Sequence, residues 1–282
     1  MIERGLVLGA ILTLTLGAGA CVGDDSSGGT GGASGSDGGG ADVSSGTGGT
    51  AEAGPRCGPF ADGGGPDSRN LGDAQIPAPT MSFFVTSDKS MTGDLGGLAG
   101  ADQRCQTLAA AASATAGAKT WHAYLCTSAG DARNRIGAGP WYNSLGALLA
   151  ADVPSLHMRK GDAAVFIDEK ANMINGQWSG SPTQNEHDIL TGCNADGTLA
   201  VGKTCLDWTS AVGPGDAAVP EGGVPAVARV GHTDGFGGVC SATPNPAQNA
   251  DVTSWNSAHD NRGCNDTAPA GGAGRLYCFA TN

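Results

Sequence analysis

Ser82-Phe83-Phe84-Val85-Thr86-Ser87 is the first stretch of this chain rich enough in aromatic and branched residues to build a core, and it reads as a strand. Downstream, Leu98, Ala101, Cys105, Leu108 and Ala112 recur at helical spacing among alanines, so Leu98 to Ala116 reads as a helix. Asp102 sits near its start, where the helix dipole favours negative charge. Thr120 to Ser128 sets Trp121, Ala123 and Leu125 against His122, Tyr124 and Cys126, the period of a strand. Short apolar pieces follow at 164–167, 206–210 and 227–231, separated by long Gly/Asn/Asp/Pro stretches. The chain closes on the strand-like Arg275-Leu276-Tyr277-Cys278-Phe279-Ala280. A strand, a helix and further short strands in one stretch define an α+β domain over 81–282, with few regular elements and many loops.

Upstream of Met81 the chemistry differs. Thirteen of the 14 aromatic residues lie beyond Met81, all five tryptophans among them. From Val22 to Arg56 the chain is mostly Gly, Ser, Asp, Thr and Ala, which cannot bury enough surface to offset ordering entropy. Residues 21–80 therefore read as a disordered tether, which at Gly/Ser stiffness spans roughly 30–35 Å over its first 35 residues or so. Ahead of it, the apolar run Gly5 to Gly17 is too short to cross a bilayer and ends in the small residues Ala18-Gly19-Ala20, so 1–20 reads as a secretory signal peptide. Cys21 follows directly, as in a bacterial lipobox, and is expected to carry a lipid anchor. Nine cysteines less a lipidated Cys21 leave eight that can pair, as suits an oxidising compartment. The expected address is the bacterial cell surface or outer membrane, with membrane contact only through the anchor. A net charge of −12 argues against nucleic acid as a partner.

Several segments carry a resemblance. Gly100-Ala101-Asp102-Gln103-Arg104-Cys105, Trp121-His122-Ala123-Tyr124-Leu125, Cys205-Leu206-Asp207-Trp208, Cys264 and Leu276-Tyr277-Cys278-Phe279 resemble endostatin, whose fold is C-type lectin-like. Arg135-Ile136-Gly137-Ala138-Gly139-Pro140-Trp141-Tyr142-Asn143, His187-Asp188-Ile189-Leu190-Thr191-Gly192, Val230-Gly231-His232 and Ser254-Trp255-Asn256-Ser257-Ala258-His259 resemble a family of exported bacterial proteins labelled lectins. The resemblance covers about Phe83 to Asn282. It implies a C-type lectin-like (endostatin-like) domain stapled by Cys105–Cys278 and Cys205–Cys264. Cys57, Cys126, Cys193 and Cys240 then have three connectivities open to them. Calcium is the cofactor such a fold allows, although Trp255-Asn256-Ser257 departs by one residue from the calcium-binding Trp-Asn-Asp. Endostatin's heparin-binding arginine cluster has no counterpart, since 12 Lys/Arg face 18 Asp/Glu from Met81 onward.

Two sets of residues are candidates for chemistry. His187 with Asp188, His232 with Asp234 and His259 with Asp260 place imidazoles beside carboxylates, the dressing of a metal ligand or general base, in segments expected to be loops. The same residues could simply bond backbone groups in turns. Trp141, Tyr142, Trp255 and Asn256 lie among Gly, Pro and Asn, where rings could stack on sugars and amides bind hydroxyls; the alternative is that each ring plugs a small core. Trp121 and Trp208 are expected to be core residues in strands.

No serine-nucleophile elbow or His-Glu-x-x-His occurs. Gly197 to Thr204 matches the phosphate-loop spacing but lacks the strand and helix that such a loop joins. The expectation is a surface-anchored module that binds extracellular carbohydrate without catalysis. A protein-binding adhesin or matrix-type structural lipoprotein is the alternative, and a metal-dependent hydrolase a weaker one.

Overall fold

The computed structural model describes residues 76–179, 184–213, 227–237, 251–269 and 271–281. The signal segment 1–20, Cys21, Cys57, Cys240 and nearly all of the 21–80 tether lie outside the described residues. Packing begins by Pro77, which is buried, and Ala78, whose N–H donates to Ser144 O at 2.9 Å, a little ahead of Met81. No helix among the described residues is long and apolar enough to cross a membrane.

The strands are β1 (Phe83–Val85), β2 (Trp121–Ala123), β3 (Trp141–Tyr142), β4 (Leu148–Ala150), β5 (Asp188–Leu190), β6 (Arg229–His232), β7 (His259–Asp260) and β8 (Gly272–Ala280). The helices are α1 (Gly97–Ala112), α2 (Ala114–Gly117), α3 (Val153–His157) and α4 (Cys205–Trp208). The longest strand, β8, organises the molecule. Six strands run β1-β8-β5-β6-β7, with β2 also on β8, and β3-β4 form a separate hairpin. β1 and β2 pair antiparallel with the last residues of β8, whereas β5 pairs parallel with its earlier part.

Alternation along β8 explains why the sheet is buried on both faces. Leu276 and Cys278 join Phe84, Leu190 and the Ala101-Cys105-Ala109 stripe of α1 in one cluster. Tyr277 and Phe279 join Phe83, Tyr124, Phe166 and Trp255 in another. Phe279 packs 4.9 Å from Phe83 and 5.4 Å from Trp141, centroid to centroid. Each such ring contributes roughly 1.5–3 kcal/mol of burial.

Three disulfides fix this frame: Cys105–Cys278 ties α1 to β8, Cys205–Cys264 joins α4 to the stretch after β7, and Cys126–Cys193 fills one of the pairings that sequence left open.

Local departures from expectation have physical causes. The expected helix 98–116 breaks at Ser113, whose extended backbone ends α1 and whose hydroxyl accepts from Ala116 N to cap α2. Asp102 does not serve the helix dipole. Its carboxylate accepts from Ala123 N at 2.8 Å and pairs with Arg135 at 2.7 Å, fastening α1 to β2. The expected strand 120–128 stops after Ala123. Trp208 is in α4, not in a strand, and Cys205 to Trp208 all have positive φ.

Candidate functional site

The histidine–aspartate residues converge where β5, β6 and β7 lie side by side. Asp188 is the cross-strand partner of His232, and His259 is the partner of Val230, two residues earlier on β6. Paired residues, and residues two apart, share a face, so Asp188, His232 and His259 emerge on one side of the sheet. His187 precedes β5, and the register of β5 on β8 shifts between Asp188 and Ile189, so strand alternation does not force its side chain to the opposite face. Its ring stacks on His232 with centroids 4.1 Å apart.

Each ring has one nitrogen committed to an oxygen acceptor. His187 Nδ1 donates to Asp234 Oδ1 at 2.8 Å, His232 Nδ1 to Val252 O at 2.9 Å, and His259 Nδ1 to Asp260 O at 3.0 Å. In the neutral imidazole this leaves Nε2 as a lone pair. All three Nε2 atoms face Asp188 Oδ1, at 3.2 Å from His187, 3.2 Å from His232 and 3.5 Å from His259. A lone pair facing a carboxylate oxygen forms no hydrogen bond, and Asp188 Oδ1, Asp188 Oδ2 and His232 Nε2 are buried with no hydrogen-bond partner. His187, Asp188 and His232 are all buried, and their donor atoms lie within 4.8 Å of one another.

Electrostatics follow from this crowding. Burial opposes ionisation of Asp188, but His232, His259 and His187 more than offset it and hold the carboxyl well below its usual range. Burial and the charge of His187 hold His232 below the ordinary imidazole value. Burial also works against protonating His187, yet its bond to Asp234 and the charges of Asp234 and Asp188 raise it. For His259, burial is outweighed by Asp188 and its pKa is pushed up to about 9. Opposite shifts in the two stacked rings keep them from carrying charge together. Chemically, the cluster is a set of nitrogen and oxygen donors around one point, with two imidazoles and one carboxylate at its centre and a third imidazole at its margin.

The sequence found these residues but not their partners. Asp234 serves His187 rather than its near neighbour His232, and the Asp260 side chain leaves His259 for Arg229 at 2.6 Å and Lys203 at 2.8 Å. That contact also engages the lysine of the phosphate-loop-like stretch. His232 and His259 sit in strands, not loops.

The aromatic candidates are corrected more fully. Trp141 is 1% exposed and Trp255 0%. Their indole N–H groups donate to Ile136 O and Leu156 O, so neither ring offers a face to a sugar. Asn256 is buried too, with its amide given to Tyr124 Oη, Asn194 O and Ala195 O. Tyr142 is half-buried on the β3–β4 hairpin, a different sheet from the one carrying the histidines.

One group escaped sequence reading. Glu186 accepts from Lys89 and Arg275, and Arg275 also donates to Thr86 O and Ser87 O. Burial opposes ionisation of Glu186, but these two cations hold its carboxyl below the usual range. The pairing spans 97 residues for Lys89 and 89 for Arg275, and no local pattern announces it. Beside it opens a recess of about 500 Å³ lined by Lys89, Gln184, Asn185, Glu186 and the backbone of Gly271 and Gly272.

Compared with known proteins, the chain matches no family model and no curated sequence.

Proposed function

We propose that this chain is an exported, lipid-anchored, lectin-like module that binds extracellular carbohydrate without turning it over. The recess carries the reading. Gln184 and Asn185 line an open concavity beside Lys89 and the apolar Met91, Ala268 and Ala273, amide donors and acceptors for hydroxyls next to apolar surface for a sugar's C–H faces. Three disulfides hold the elements behind it and suit an oxidising compartment. The resemblance to exported bacterial lectins points the same way. Binding here is expected to be independent of calcium, because the recess holds one carboxylate and Lys89 and Arg275 already occupy it.

The test is a glycan array probed with the full mature chain, with and without calcium, alongside a Gln184→Ala/Asn185→Ala variant. Saccharide binding that survives chelation of calcium and is lost in the variant is expected. A blank array, or hits indifferent to the variant, overturns the carbohydrate reading; blank arrays with a specific protein captured would favour the adhesin.

A further inference from the structure

We propose that His187, Asp188 and His232, with His259 at its margin, form a closed binding site for a divalent transition metal of the zinc class. The spacing is the first reason. A tetrahedral ion with bonds of about 2.0–2.1 Å sets its ligand atoms about 3.3 Å apart. The His187 and His232 Nε2 atoms each stand 3.2 Å from Asp188 Oδ1, two distances of the length of a tetrahedron's edge, and the three ligand atoms lie within 4.8 Å of one another.

The second reason is the unpartnered set. A buried carboxylate with neither oxygen bonded, beside a buried imidazole nitrogen equally unbonded, is costly for a polar network that merely supports a fold. A cation among these lone pairs would satisfy Asp188 Oδ1 and His232 Nε2 together.

The outer contacts are the third. Every ring spends Nδ1 on an oxygen acceptor, a carboxylate for His187 and backbone carbonyls for His232 and His259, as metal-bound histidines do. Only the nitrogen needed for ligation is left.

The donor set selects the ion. Imidazoles around one carboxylate suit zinc, cobalt or nickel, whereas calcium and magnesium take oxygen ligands almost throughout. Burial of the three central ligands marks a site that is closed and structural, not one open to a substrate. This inference is independent of the carbohydrate reading and can fail or hold without it.

The experiment is metal titration of the full exported chain after stripping with a strong chelator. Zinc is expected to bind at one equivalent by calorimetry, and cobalt to give the intense visible bands of a tetrahedral site. Both signals should fall to background in Asp188→Asn and in His232→Gln and persist in His122→Ala, whose imidazole lies outside the cluster. Because the first two variants could fail to fold, the stripped wild-type protein decides independently. If it is folded by circular dichroism and takes up neither ion, or if both variants bind as wild type does, there is no such site.

Discussion

Trp255 shows what a single residue reveals and conceals. Its setting, Ser254-Trp255-Asn256-Ser257, is polar and looks like a binding loop. In the folded chain the indole lies 4.8 Å from the Tyr124 ring, 5.1 Å from Tyr277 and 5.7 Å from Phe166, with no exposed surface. The polar neighbours mislead because they face inward too. Ser254, Asn256 and Ser257 are all buried and bond one another, backbone groups, Tyr124 Oη and the Arg229 guanidinium. Trp255→Ala should therefore act on stability, costing about 3–5 kcal/mol through cavity formation and the loss of the indole bond to Leu156 O. Urea unfolding measures this directly. A variant of wild-type stability that has lost ligand would return Trp255 to the binding surface. The histidines were legible for the opposite reason: an imidazole beside a carboxylate is conspicuous in any sequence. Which carboxylate served which ring was hidden, since Asp234 reaches His187 across 47 residues.

Elements were legible where composition or helical spacing marked them. β1 and β8 fall in the stretches rich in aromatic and branched residues, and α1 covers most of the stretch with helical spacing, whereas the alternating stretch 120–128 is strand only over Trp121–Ala123. α4 was not legible. Cys205-Leu206-Asp207-Trp208 looks like an ordinary apolar piece, yet its residues have φ of 48°, 53°, 55° and 67°. For residues other than glycine, that left-handed backbone costs roughly 1–2 kcal/mol each. Distant contacts impose it. Cys205 is tied to Cys264, Ser128 N donates to Asp207 at 2.9 Å, and the Trp208 indole donates to Cys126 O at 2.9 Å. Leu206 alone lacks such an anchor for its side chain, which is 70% exposed. Leu206→Gly should relieve strain at no packing cost. After the entropy that glycine adds to the unfolded chain, a net gain of about 0.5–1 kcal/mol in unfolding free energy, read as a higher urea midpoint, is expected. A loss of similar size would mean that the left-handed backbone at Leu206 holds no strain for glycine to relieve.

At the scale of the whole molecule, the disulfides among the described residues are divided unevenly. Disulfides bind α1 to β8, bridge the segments around β2 and β5, and anchor α4, but β6 and β7 contain no cysteine. The strand at that edge, β7, has only two residues. Short ladders exchange backbone hydrogen bonds with water easily unless another constraint closes them. The proposed metal would be that constraint, since its ligands come from β6 and the start of β5, with His259 of β7 at its margin. An ion at a hundredfold excess over its dissociation constant stabilises the bound form by about 2.7 kcal/mol, which corresponds to roughly hundredfold slower opening. Hydrogen exchange can locate the effect. The amides of His232, bonded to Ser254 O, and Thr233, bonded to His187 O, should exchange about a hundredfold faster once the ion is removed. Amides in β1, β2 and β8, held by the hydrophobic clusters and by Cys105–Cys278, should change little. Uniform acceleration across all strands would instead make the cluster part of one global unfolding unit. No acceleration anywhere would show that hydrogen bonds alone close the β5–β7 edge, and the unpaired Asp188 carboxylate would then need another partner.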